Sequence, residues 1–187
     1  MSDLSVEAVI LAGGQGRRMQ YQDKGLVTFQ HRPLVQHVID TIHPQVNRLM
    51  IMANRNIESY QAFGYPVFSD ELSGFQGPLS GLSTALHHCQ SEWLLMLPCD
   101  TPHLPSDLLE KMQLALAQDN TDIVVACDSH KEHAVIMLLK RQLKADLDDY
   151  LASGERRVMA WYRRHQYQTV EFDAKHFINC NHIDELS

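Results

Sequence analysis

Apolar residues along this chain follow two rhythms. Short unbroken runs alternate with stretches in which apolar residues recur every three or four positions. The runs are "EAVILAG" (residues 7–13), "RLMIMAN" (48–54), "EWLLMLPCD" (92–100), "DIVVAC" (122–127) and "AVIMLLK" (134–140). Runs of this length read as strands buried on both faces of a sheet. "YPVFSD" (65–70) reads as a strand stub that ends at Asp70. In "RPLVQHVIDTIH" (32–43), Leu34, Val38 and Ile42 share one helical face and Pro33 stands near the start. "NIESYQAFG" (56–64) reads as a short helix stopped by Gly64, and "GPLSGLSTALHHC" (77–89) as a loop that continues into a helix. "PSDLLEKMQLALAQ" (105–118) and "RQLKADLDDYLASG" (141–154) are helical, the second stopped by Gly154. "ERRVMAWYRRH" (155–165) and the final "NHIDELS" (181–187) are further helical candidates.

Strands alternating with helices predict an α/β chain with a mostly parallel central sheet and right-handed crossovers. No repeat or linker divides it, so residues 1–187 form one domain. In such sheets the ligand lies beyond the carboxyl ends of the strands. Four features converge there: the glycines Gly13, Gly14 and Gly16, then Asn54, Asp70 and Asp100. The convergence weighs more than any one of these residues.

Hydrophobic residues make up 44% of the chain, enough for a full core. The formal net charge of -7 argues against non-specific nucleic-acid binding, which depends on neutralising phosphates. Cys89, Cys99, Cys127 and Cys180 include no CxxC pair, so neither a zinc site nor a redox dithiol is signalled. The acidic start and short apolar run at the N-terminus match neither a signal peptide nor a membrane span. A reduced, cytoplasmic protein without nucleic-acid or membrane partners is the expectation.

Against the acidic background, "LAGGQGRRMQYQDKG" (11–25) concentrates glycine and positive charge. Consecutive glycines let backbone N–H groups turn toward a ligand and cradle phosphate oxygens. Arg17, Arg18 and Lys24 can add charge-assisted hydrogen bonds. Met19 breaks the dinucleotide fingerprint, and no GK[ST] follows, so this is neither of the two common phosphate loops. A carboxylate at a strand end, as at Asp100, can hold Mg2+ or simply cap a turn. Arg156 and Arg157 read as a solvated basic face, and Asn179 and Asn181 as turn formers or as two amides on one strand face.

"LAGGQGRRM", "DKGL", "PLVQHV", "ANR", "GPLSGL", "PCDTPHLP", "GERRVM" and "NCN" together resemble the molybdenum cofactor guanylyltransferases of the nucleotidyltransferase superfamily. The resemblance runs over nearly the whole chain, and "PCDTPHLP" is its most specific segment. It implies a Rossmann-like, three-layer nucleotide-diphospho-sugar transferase fold. It implies transfer of GMP from GTP to the phosphate of Mo-molybdopterin, with Mg2+ as cofactor. Carried onto this sequence, Lys24, Asp100 and Arg18 are catalytic, and Asp100 is the metal ligand. Leu11, Ala12, Gly13, Gly14, Gly16, Lys24, Asn54, Asp70, Gly77, Pro78 and Asp100 bind GTP. Arg156, Arg157, Asn179 and Asn181 bind molybdopterin. Residues 1–100 thus serve the nucleotide and 101–187 the pterin, with molybdenum-insertion proteins and molybdoenzyme chaperones as partners. The chain departs from the family pattern at Gln20-Tyr21-Gln22, at Met52, where only backbone can serve the nucleotide, and at Ala134. The competing readings are a cytidylyltransferase using CTP, a sugar-1-phosphate nucleotidyltransferase, which the short chain and "PCDTP" disfavour, and a non-catalytic cofactor carrier.

Overall fold

The structure, a computed structural model, describes residues 4–12, 23–70, 77–116 and 120–178. The strands are β1 (Val6–Leu11), β2 (Thr28–Phe29), β3 (Arg32–Pro33), β4 (Arg48–Met52), β5 (Val67–Phe68), β6 (Trp93–Pro98), β7 (Ile123–Cys127), β8 (Glu132–Lys140) and β9 (Tyr167–Glu171). The helices are α1 (Leu34–Ile42), α2 (Ile57–Gln61), α3 (Pro78–His88), α4 (Leu108–Leu116), α5 (Lys144–Ala152) and α6 (Val158–Tyr162). Seven strands make one sheet in the order β5-β4-β1-β6-β8-β7-β9, and β2 and β3 form a separate hairpin.

The buried runs behave as their pattern demands. Val6, Ala8 and Ile10 of β1, with Leu95 and Leu97 of β6, face one core that also holds Val35, Val38 and Ile42 of α1 and Leu108 and Met112 of α4. Val9, Leu94 and Met96 face the opposite core, against Leu79, Leu82 and Leu86 of α3 and Leu147 and Leu151 of α5. Two cores on one sheet give the expected three layers, helix on sheet on helix. β1 pairs in parallel with both β4 and β6, and β4 in parallel with β5. Their carboxyl ends, at Leu11, Met52, Phe68 and Pro98, therefore lie along one edge.

The second half departs from plain alternation. β8 runs antiparallel to both of its neighbours, β6 and β7. The cause is local: only residues 128–131 separate β7 from β8, and a parallel return needs a dozen or more. Asp128 closes that turn by accepting from the backbone N–H groups of His130 and Lys131. Residues 167–171, which carry no apolar run, form the edge strand β9, parallel to β7. Gln30 and His31 take positive φ values of 46° and 67°, so "QH" makes the tight turn of the β2–β3 hairpin ahead of α1. The segment "NHIDELS" lies outside the described residues.

Candidate active site

The parallel ladder continues past the strand ends and sets the floor of the edge. The Ala12 N–H donates to the Met52 carbonyl at 2.7 Å, and the Ala53 N–H to the Phe68 carbonyl at 2.9 Å. Met52 is buried, and its carbonyl is engaged by Ala12, so its side chain offers nothing at the edge.

Two polar clusters stand on this floor. In the first, Asn54 and Asp70 grip each other reciprocally. The Asn54 amide donates to Asp70 Oδ2 at 3.0 Å, and the Asp70 N–H donates to Asn54 Oδ1 at 2.8 Å. Burial raises the Asp70 pKa above the usual carboxylate range, and the Asn54 bond opposes that shift. The start of α3 leans on the same place. Gly77 precedes the helix with φ 83°, a value that favours glycine, and Pro78 opens it. A Cβ on Gly81 would lie 3.2 Å from Leu11 Cδ2 and 3.3 Å from Asp70 Oδ1. Leu11, Asp70 and the first turn of α3 are therefore in close mutual contact.

In the second cluster, Lys24 Nζ donates to Asp100 Oδ2 at 3.1 Å, across 76 positions of sequence. Asp100 follows β6 and is almost buried, with 12% of its side chain exposed, and Lys24 reaches it from a 3-10 turn over Lys24–Leu26. Next to Asp100, the Cys99 thiol is buried, and burial pushes its pKa upward. A thiol shifted in that direction is a poor nucleophile. The residues between the clusters, 54–56, connect them: Asn54 holds Asp70, while Asn56 donates to Asp23, the neighbour of Lys24, at 3.0 Å. Asp23 stood in the sequence only as part of "DKGL", with no role attached, and Asn56 and Tyr60 carried no signal, since the donors to a buried carboxylate are recognisable only once the fold supplies them.

Asp100 suits Mg2+. Its oxygens are hard donors at the edge where phosphates would arrive, and Mg2+ takes one or two carboxylates and completes its shell with phosphate and water. Among the described residues no group of three or more His, Cys, Asp or Glu side chains forms a dedicated metal cage.

Gly13, Gly14, Gly16 and Arg18 lie outside the described residues, as do Asn179 and Asn181. Arg156 and Arg157 sit between α5 and α6. Arg156 donates to the carbonyls of Leu151 and Glu155 at 2.7 and 2.6 Å, which satisfies the carboxyl end of α5. Arg157 is the exposed member, with 79% of its side chain accessible and Glu155 at 3.6 Å. Close by, Tyr162 donates to Glu132 at the start of β8.

A family model described as "MobA-like NTP transferase domain" matches residues 8–170. The chain belongs to this family. Molybdenum cofactor guanylyltransferase from Haemophilus influenzae is 46% identical over 98% of the chain and 96% of its own length. That from Shewanella sediminis is also 46% identical, over 95% and 92%. Among solved structures, the molybdopterin-guanine dinucleotide biosynthesis protein A of Archaeoglobus fulgidus superposes with a TM-score of 0.78 at 18% identity, over 96% and 94%. That likeness speaks for the fold. Within the MobA-like family, the carboxyl edge that gathers Asn54, Asp70, Lys24 and Asp100 is the candidate active site of a nucleotidyltransferase.

Proposed function

We propose that this nucleotidyltransferase transfers GMP from GTP to the terminal phosphate of Mo-molybdopterin, forming molybdopterin guanine dinucleotide and releasing pyrophosphate. The observation that carries the reading is the meeting of the Lys24–Asp100 pair with the Asn54–Asp70 pair at one sheet edge. It occurs in a chain 46% identical to proteins of that name.

The acceptor is a phosphate whose second pKa, near ~6, leaves it anionic at neutral pH. It needs no general base. The protein's work is placement and charge neutralisation at the α-phosphorus. Lys24 supplies a point charge to the triphosphate, with Arg18 and the backbone N–H groups of Gly13, Gly14 and Gly16 beside it. Asp100 holds Mg2+, which when bound would neutralise phosphate charge. Leu11, Ala12, Gly77 and Pro78 wall the nucleotide. Asp70 accepts from the base: guanine presents two adjacent N–H donors on one edge, which a carboxylate matches, whereas cytosine places an acceptor beside its amine. Arg156, Arg157, Asn179 and Asn181 take the pterin, so residues 1–100 serve the nucleotide and 101–187 the acceptor. The cytoplasm is the setting, with molybdenum-insertion proteins and molybdoenzyme chaperones as protein partners.

Pyrophosphate release is the test, measured with Mg2+, Mo-molybdopterin and either GTP or CTP. The expected result is release that needs the pterin and GTP. Equal or faster release with CTP contradicts the nucleotide assignment, and binding of finished cofactor without any release marks a carrier.

A further inference from the structure

The residue before Lys24 is as unusual as the lysine. Asp23 carries a carboxylate with only 5% of its side chain exposed, and three side chains from one short segment converge on it. Tyr60, fully buried on α2, donates its hydroxyl to Asp23 Oδ1. Asn56 donates to Oδ2 at 3.0 Å, and Arg55 Nε stands 3.8 Å from the same oxygen. Burial raises the Tyr60 pKa, so its hydroxyl keeps its proton and donates.

The residue after Lys24 is fixed by the same tyrosine. A Cβ on Gly25 would collide with the Tyr60 hydroxyl and lie 3.3 Å from two of its ring carbons, so only glycine fits without a shift of the ring. Backbone bonds from Leu26 N–H to the Asp23 carbonyl, at 3.0 Å, and from Val27 N–H to the Lys24 carbonyl, at 3.1 Å, close the turn. Asn56 itself holds φ 51° and ψ 35°, a left-handed conformation that asparagine tolerates better than most residues. A lysine side chain has four rotatable bonds, so any play in its backbone adds to the freedom of the charge at its tip.

We propose that Asp23, Asn56 and Tyr60 are positioning residues, a clamp that fixes the backbone on both sides of Lys24 and so aims its ammonium at the Asp100 edge. Because Asn54 in the same turn holds Asp70, the clamp also ties the lysine to the base side of the site. The proposal rests on the assignment of Lys24 to the triphosphate.

A double-mutant cycle separates aim from mere structural support. Tyr60→Phe, Lys24→Ala and the double variant are compared by pyrophosphate release, by calorimetric GTP affinity with MgCl2, and by melting temperature. The clamp predicts that Tyr60→Phe lowers turnover about tenfold in the native background, as loss of one hydrogen bond to a charged group allows. It predicts that the same change does nothing further once Lys24 is alanine. Asn56→Gly repeats the cycle with a variant that keeps the left-handed backbone and loses only the donor, which guards against a Tyr60→Phe protein that does not fold. An equal loss with and without Lys24 would overturn the clamp, as would unchanged turnover in folded Tyr60→Phe and Asn56→Gly. If Lys24→Ala is itself fully active, the triphosphate assignment falls and takes the clamp with it. That outcome is distinct from an additive cycle, in which Lys24 keeps its role.

Discussion

At the residue scale the proposed chemistry turns on one carboxylate. Asp100 is nearly buried, and its visible partner is Lys24. Asp100→Asn keeps the shape of the side chain and removes the charge that Lys24 pairs with and that the proposed Mg2+ would need. We expect a folded protein whose Mg2+-dependent turnover falls a hundredfold or more, a scale of roughly 2.7 kcal/mol in the barrier. Near-normal turnover in the folded variant would remove Asp100 from the metal. Asp70 makes a separate prediction: Asp70→Asn should weaken GTP more than CTP in parallel titrations, since only guanine offers the paired donors. The strand-end residues were legible in the sequence because each polar group broke an apolar run at a carboxyl end. Asn56 and Tyr60 were not, and Asp23 stood out only as a member of "DKGL", without its partners. Their bonds span up to 37 positions, and nothing in a pattern of neighbours reports on such a pairing.

At the scale of the element, β1, β4, β5 and β6 follow the alternation read from the sequence, whereas the β2–β3 hairpin was not announced and takes Arg32 and Pro33 from the predicted start of α1. β9 lies at the sheet edge with a mixed polar sequence, so no apolar run announced it. β8 turns back because its connection to β7 is too short to cross over. The predicted helix across 155–165 shrinks to Val158–Tyr162, and the preceding residues instead make the turn that Arg156 caps. Glu7 is the polar exception within β1. Although 1% exposed, it accepts from the Gln90 and Ser91 N–H groups, both at 2.9 Å, and so fastens the entry to β6. Removing it leaves the buried Ser91 N–H and the part-buried Gln90 N–H unmet, a cost of about 2–3 kcal/mol in all. Glu7→Ala should therefore lower the melting temperature by ~5–10 °C while leaving GTP affinity unchanged. A loss of affinity equal to the loss of stability would show that the two edges of the sheet are not independent.

The β7–β8 turn adds a pH-dependent tie. The His133 hydrogen bond, and then the backbone N–H of His130, hold the Asp128 pKa down at about 2. A depressed carboxylate stabilises the fold above its unfolded pKa of about 4, and that contribution fades as pH falls toward the folded value. The melting-temperature gap between native protein and Asp128→Asn should thus be constant from pH 6 to 5 and close between pH 4 and 2. A gap that widens on acidification would reverse the sign and rule out this role for Asp128.

Across the whole molecule, the proposed labour falls to two halves of one sheet. The parallel half ends in the two polar clusters proposed for the nucleotide, and the half built around antiparallel β8 presents Arg157 to solvent. Because Arg156 also caps α5, changing both arginines would confuse binding with stability. Arg157→Ala alone should raise the KM for the pterin about tenfold and leave that for GTP within twofold. The most direct measurement of the central claim follows phosphorus from GTP labelled at either the α or the γ position, with Mg2+ and Mo-molybdopterin present. GMP transfer puts the α-label in a pterin dinucleotide and the γ-label in pyrophosphate. Label from the α position that stays entirely in free guanine nucleotides, with no pterin product formed, would contradict it.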